Sequence, residues 1–301
     1  MLKELLDDIC QELDIEYKII SNNYLICLKK NGKTKFIWGN KFDLNNHGLG
    51  IAFDDKYATY EVLKNIDVPV IEHSILYSSK NKSRYAKNKS GISYMKEIFN
   101  KYNKDIVLKV NNGSKGFGVY HINSFSSFLL TSNKLFLSNK SLSVTPYENI
   151  INEYRVIVLN KEIKLMYGKE NPVVVGDGMS SLKDLLVKFN EPYFKNKKIK
   201  NYILKKNEAY NYDFKFNLSK GSRAFIVTDE EIKKELIKVV NKIVNNIDCN
   251  FVSIDIVKTV DNKYKVLEIN SGVSIEKVVN FIDNGYAIAK EIYKDAINSM
   301  F

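Results

Sequence analysis

The segment FVSIDIVKTVDNKYKVLEINSG, residues 251–272, limits the fold more than any other stretch of the chain. Two runs rich in β-branched residues flank Asp261-Asn262, a dipeptide suited to a two-residue hairpin turn. With that turn Val260 faces Lys263, and Asp255 lies directly opposite Glu268, their Cβ atoms about 4.5–5.5 Å apart, where like charges weaken a sheet. A divalent cation offsets the repulsion, and Asn270, two residues past Glu268 on the same face, adds a third oxygen. A donor set of Asp255, Glu268 and Asn270, without His or Cys, suits magnesium, with manganese as the alternative, held partly by phosphates of a substrate. A competing reading stays open, in which one acid faces solvent or pairs with a lysine, or another turn length breaks the register.

A second segment, DIVLKVNNGSKGFGVYHI at residues 105–122, raises a related question. Gly113, Gly116 and Gly118 do not supply the G-x4-G-K-[ST] spacing of a P-loop, and the strand-like VYHI that follows is not the helix a dinucleotide fingerprint needs. What remains is a glycine-rich loop joining two strands, whose backbone N–H groups can approach an anion. Lys109 shares a strand face with Val107 and would place an ammonium beside such an anion. A surface hairpin with an outward-pointing lysine is the alternative.

The chain has 301 residues, 45% of them hydrophobic, and a formal net charge of +11. It is long enough for two or three compact units with a sizeable core. The positive charge is spread along the chain with Asn and Ile rather than gathered, so nucleic acid is an unlikely partner, whereas a polyanionic small molecule fits. Cys10, Cys27 and Cys249 and the three histidines have no metal-ligand spacing, and reduced thiols in the cytoplasm are expected. No run approaches the ~20 apolar residues that span a bilayer, and the acidic N-terminus is unlike a secretory signal.

An amphipathic helix is expected from Leu2, Leu5, Leu6, Ile9 and Leu13, followed by short strands to about residue 50. A helix at DDKYATYEVLKNI comes next, and SSKNKSRYAKNKSG reads as a basic loop. Strands then dominate from residue 105 to the helix at SLKDLLVKFN. Thr228 and Glu231 form a capping box for a long amphipathic helix, and a terminal helix starts near Phe281. The organisation expected is a short α/β cap over 1–54, a lobe with the glycine loop over 55–145 and a lobe with the metal site over 146–301.

Lys109 with NNGSKGFGV, then NEYRVIVLN, PVVVGDGMSSLKDLL, NLSKGSRAFIVTDE and SIDIV…VLEINSG resemble, in that order, the motifs of ATP-grasp enzymes. The ligase portion of cyanophycin synthetase is most similar, and glutathione synthetase and D-alanine-D-alanine ligase more distantly so, over about Asp55 to Ser274. The resemblance implies an α+β ATP-grasp fold, two lobes clamping ATP. It implies that Lys109 contacts ATP phosphates and that Gly113, Ser114, Lys115, Gly116 and Gly118 form the loop over them. Pro146, Tyr147 and Glu148 would be the hinge that reads adenine, and Glu153 the acid that holds ribose. Asp255, Glu268 and Asn270 match the Mg2+ ligands, and Arg223 lies where a basic residue near the reacting phosphate is found.

Two departures stand out. Tyr60 occupies the place of a second nucleotide lysine in DKYATY, leaving Lys56 as its substitute, and Val110 replaces the usual proline after Lys109. The activity implied is an ATP-dependent carboxylate–amine ligase that forms an amide or peptide bond through an acyl phosphate and releases ADP. The alternatives are an ATP-grasp phosphotransferase or a catalytically silent nucleotide-binding module. Implied substrates are an amino acid or peptide carboxylate and an amine. The short N-terminal cap points to a homodimer partner, or a protein that supplies the acceptor.

Overall fold

The computed structural model describes residues 2–113, 116–187, 201–211, 214, 216, 218, 222–276 and 279–301. Helix α1 (Leu2–Glu12) buries Leu2, Leu5, Leu6 and Ile9 on one face, the spacing that an amphipathic helix needs. An antiparallel sheet of β1 (Glu16–Ile20), β2 (Leu25–Lys30), β3 (Lys33–Trp38) and β4 (Lys41–Phe42) follows in that order. Helices α2 (His47–Asp54) and α3 (Lys56–Asn65) meet at Asp55, whose side chain accepts from the Ala58 N–H and caps α3.

A second antiparallel sheet, in the order β5-β8-β6-β7, is built from β5 (Ser74–Tyr77), β6 (Ile106–Val110), β7 (Val119–Ile122) and β8 (Ser141–Pro146). Helices α4 (Gly91–Lys101) and α5 (Phe125–Phe136) pack against it through Met95, Ile98, Phe99, Phe128 and Leu135. The strand-dominated reading of residues 105–181 misses α5. This helix is capped by Ser124, which accepts from the Ser127 N–H, and it buries Phe128, Ser132 and Leu135, a helical spacing obscured by its serines.

A third sheet, in the order β13-β10-β9-β14-β15, carries the remaining long strands. They are β9 (Ile150–Leu159), β10 (Glu162–Lys169), β13 (Ala224–Ile226), β14 (Phe251–Thr259) and β15 (Tyr264–Asn270). A small pair, β11 (Val173–Val175) and β12 (Ala209–Asn211), and the short helix α6 (Leu182–Val187) surround a minor core of Val174, Leu182, Leu185, Leu186 and Leu204. Helix α7 (Glu230–Val244) covers one face of the third sheet, packing Leu236, Val239, Val240 and Ile243 on Val156, Val158, Val252, Ile254 and Ile256. Its cap is Asp229 rather than the expected Thr228, because the Asp229 carboxylate accepts from both the Glu231 and Ile232 N–H groups.

The opposite face holds α1, the first sheet and the terminal helix α8 (Gly285–Asn298), which share one core with Ile157, Leu159, Tyr167 and Phe251. Helix α8 starts at Gly285, after a 3-10 turn at Val279–Phe281, so the helix expected from Phe281 begins one turn later. Side chains alternate along β9 and β14, so Glu153, Arg155, Ser253 and Asp255 emerge on the side away from α7. Among the described residues no helix is long and apolar enough to cross a membrane.

The β14–β15 hairpin differs from the expected one in a way that restores the pairing. Its turn is not Asp261-Asn262 alone. Lys258 pairs with Tyr264, the Thr259 N–H donates to the Lys263 carbonyl at 3.0 Å, and Val260, Asp261 and Asn262 form the loop, with Asn262 at φ 59°. That extra residue shifts the register by one. A bulge beside Leu267 shifts it back, and Asp255 pairs with Glu268.

Candidate nucleotide site

Between the second and third sheets lies a cavity of about 490 Å³. Lys56, Lys109, Gly113, Gly116, Pro146, Tyr147, Glu148, Glu153, Asp255, Glu268 and Asn270, candidates gathered from distant parts of the sequence, all line it. Gly118 and Arg223 are not among the lining residues; Arg223 is exposed, and its carbonyl accepts from the Glu170 N–H. Ser114 and Lys115 lie outside the described residues.

Strand β6 places Lys109 opposite Ser143 and Val119, directly before the glycine loop. Burial pulls the Lys109 ammonium down to about 8; Glu268 opposes this and Lys56 adds to it. Behind it lies buried His73, whose Nδ1 is 2.6 Å from the Ser143 hydroxyl and whose ring stacks on Tyr60. Burial first, then the charges of Lys109 and Lys56, push His73 well below the usual imidazole range, so it is neutral at pH 7. Lys56 donates to the Gly113 carbonyl and lies 3.6 Å from Glu268 Oε2, joining the glycine loop to the far wall.

The glycines have a packing reason. Gly118 has φ +67°, and a Cβ there would come 2.7 Å from Val110 Cγ2; one on Gly113 would come 2.9 Å from Val110 Cβ. Val110, in the place of a proline, is thus gripped from two sides by residues that only glycine can supply.

Just after β8, Tyr147 stacks face to face on His121, with centroids 3.8 Å apart, and its N–H donates to the Asp105 carbonyl. Asp105 Oδ1 lies 2.6 Å from His121 Nε2, and Phe214 meets both rings edge-on. Glu148 pairs with Lys265 at 2.7 Å.

The floor is a cross-strand row, Tyr167, Arg155, Asp255 and Glu268, with Lys169 and Glu153 in the neighbouring row. Arg155 grips Asp255 through both oxygens, Nε to Oδ1 at 2.7 Å and Nη2 to Oδ2 at 2.6 Å. Lys169 Nζ lies 3.1 Å from Asp255 Oδ1 and also bonds Glu153. Asp255, Glu153 and Lys169 are 1%, 8% and 5% exposed, so these charges interact with little screening. Burial alone would raise the Asp255 pKa, but the charges and hydrogen bonds of Arg155 and Lys169 hold it below the usual carboxylate range. Burial raises Glu153, partly offset by Lys169.

Arg155 and Lys169 were not singled out from the sequence. The spacing of Glu153 and Arg155 places both on one strand face, which was the available signal; Lys169 is identified only by its register with Glu153. Asp255, Glu268 and Asn270 have the oxygen chemistry a hard divalent cation needs, and two of them stand opposite each other. Both Asp255 oxygens are, however, engaged by cations, and Asn270 Nδ2 donates to Glu268 Oε1 at 3.3 Å. Among the described residues no group of three or more His, Cys, Asp or Glu is arranged to hold a metal ion.

No family model matches the chain, and no curated protein does. Solved structures do. A bifunctional glutathione synthetase from Pasteurella multocida aligns over 97% of this chain at 16% identity with a TM-score of 0.53. This chain spans 44% of its length. A D-cycloserine synthetase aligns over 84% of this chain and 73% of its own at 12% identity, with a TM-score of 0.53. A D-Ala:D-Ser ligase from Enterococcus faecalis aligns over 81% and 61% at 13% identity, with a TM-score of 0.51. At these identities the likeness is one of fold: the chain has the α+β ATP-grasp fold.

Proposed function

We propose that this chain is an ATP-dependent carboxylate–amine ligase. One observation carries the reading. Lys109, the glycine loop, the hinge residues and the facing acids Asp255 and Glu268 converge on one cavity, in a fold shared with proteins named as synthetases and ligases. The similarity of the sequence motifs to the ligase portion of cyanophycin synthetase supports the same class.

The reaction needs neutralisation of phosphate charge more than a protein nucleophile. A substrate carboxylate oxygen attacks the γ-phosphorus of ATP and ADP leaves. An amine then attacks the acyl carbon, inorganic phosphate departs, and the amine loses a proton. Lys109 bears on the phosphate oxygens from β6. Lys56, tied to the Gly113 carbonyl, takes the place of the second lysine that Tyr60 does not supply. The glycine loop closes over the phosphates and keeps water from the acyl phosphate. Tyr147 and Glu148 bound the adenine end, and Glu153 meets the ribose. Asp255, Glu268 and Asn270 would hold Mg2+ or Mn2+, which supplies charge compensation to the triphosphate. Arg223, outside the cavity lining, acts on the reacting phosphate only if its segment moves inward.

The substrates are an amino acid or peptide carboxylate and an amine, with a second copy or an acceptor protein completing the site beside the short N-terminal unit. The test is ADP release against a panel of amino acids and small acids, paired with calorimetric binding of a nonhydrolysable ATP analogue. Turnover stimulated by one acid–amine pair is expected. Analogue binding without stimulation by any pair leaves a nucleotide-binding module and removes the ligase.

A further inference from the structure

Each of the two facing acids at the floor of the cavity already has a positive partner. Arg155 binds Asp255 bidentately, Lys169 adds a third contact, and Lys56 stands 3.6 Å from Glu268. The Arg155 and Asp255 side chains are 22% and 2% exposed, so the guanidinium faces the cavity while the carboxylate lies beneath it. Among the described residues the lining carries four cations, Lys56, Lys109, Arg155 and Lys169, and four acids, Glu148, Glu153, Asp255 and Glu268. Glu148 is balanced by Lys265. Counted with Lys265, which stands just outside the lining, the described site is one positive charge in excess.

A divalent cation entering alone makes that excess three and must displace Arg155 and Lys169 from Asp255 in a poorly screened site. A polyphosphate entering first offers both side chains a better anion and frees the carboxylate.

We propose that Arg155 and Lys169 gate the divalent-cation site. They hold Asp255 in the ligand-free protein, and a cation gains that carboxylate only when a polyphosphate takes the two side chains away. This rests on the nucleotide reading above. Metal and nucleotide then bind with reciprocal positive coupling, each raising the affinity for the other. Arg155 and Lys169 are positioning residues in this scheme, acting on the ion through Asp255.

The experiment titrates Mn2+ alone, without nucleotide, into the intact chain and follows free Mn2+ by electron paramagnetic resonance. The expected result is millimolar or weaker binding to the wild-type chain and a gain of at least about tenfold in Arg155→Met, abolished by adding Asp255→Asn. Lys169→Met and Lys56→Met, which free one acid each less completely, should gain less, and they carry the test if Arg155→Met fails to fold by circular dichroism. Micromolar Mn2+ binding to the wild-type chain overturns the proposal. So does an affinity within about twofold of wild type in the folded variants. A parallel titration with a nonhydrolysable ATP analogue, in Mn2+ and in chelator, tests the nucleotide reading separately: its failure in both removes that reading whatever the metal does.

Discussion

Replacing Lys169 with Met removes the cation that sits between two buried acids while keeping the length of the side chain. Asp255 retains Arg155, but Glu153 loses its buried ammonium partner and is left as a carboxylate with a 10% exposed side chain. Breaking a buried ion pair from one side costs about 3–5 kcal/mol. At about 2–3 °C per kcal/mol for a chain of this size, the melting temperature falls by about 6–15 °C. Glu153, already raised by burial, has an escape: it can take up a proton. Its folded pKa in the variant then lies further above the unfolded value, so the folded state binds more protons than the unfolded one in that window. Stability of the variant is therefore lost as pH rises through it, and the gap to wild type narrows toward pH 4.5. Adding Glu153→Gln removes the orphaned charge and should restore at least half of the loss. The assay is thermal unfolding by circular dichroism from pH 4.5 to 8.5. A Lys169→Met chain within about 1 kcal/mol of wild type at pH 8 refutes the reasoning, as does a double variant no more stable than the single.

Lys109→Met should weaken calorimetric binding of an ATP analogue by about 10–100-fold. In the wild-type chain that binding should weaken as pH rises through about 8, where the Lys109 ammonium loses its proton. Gly118→Ala puts a Cβ 2.7 Å from Val110 Cγ2 at positive φ, and should cost about 1–3 kcal/mol in chemical denaturation. Gly32→Ala shares the positive φ but meets nothing within 4 Å, so it should cost about 1 kcal/mol or less. Asp229→Ala should cost about 1 kcal/mol and Thr228→Ala much less, because Asp229 caps α7.

Local pattern carried part of this structure and long-range pairing the rest. The periodicity of α1 and α7 is visible because their buried faces are almost purely aliphatic. Helix α5 was hidden because its buried face is Phe128, Ser132 and Leu135, and its serines resemble a loop until the Ser124 cap is seen. The opposition of Asp255 and Glu268 was reachable from the hairpin sequence, although a longer turn and a bulge replace the expected short turn. Arg155 on Asp255 was not, since the partners are 100 positions apart and meet only because β9 and β14 are neighbours. No feature of either strand read alone announces that adjacency.

The core shared by α1 and α8 bears on how the protein is made. Lys290 reaches back to Asp8, 282 positions earlier, and Leu5, Leu6 and Ile9 share one core with Ala289, Ile292 and Ala296. The first sheet, which follows α1 directly, shares that core, but the part of the α1 stripe that α8 covers stays exposed during synthesis until α8 is made. Chaperone dependence and sensitivity to premature termination follow from that delay, even for truncations that leave every cavity residue in place.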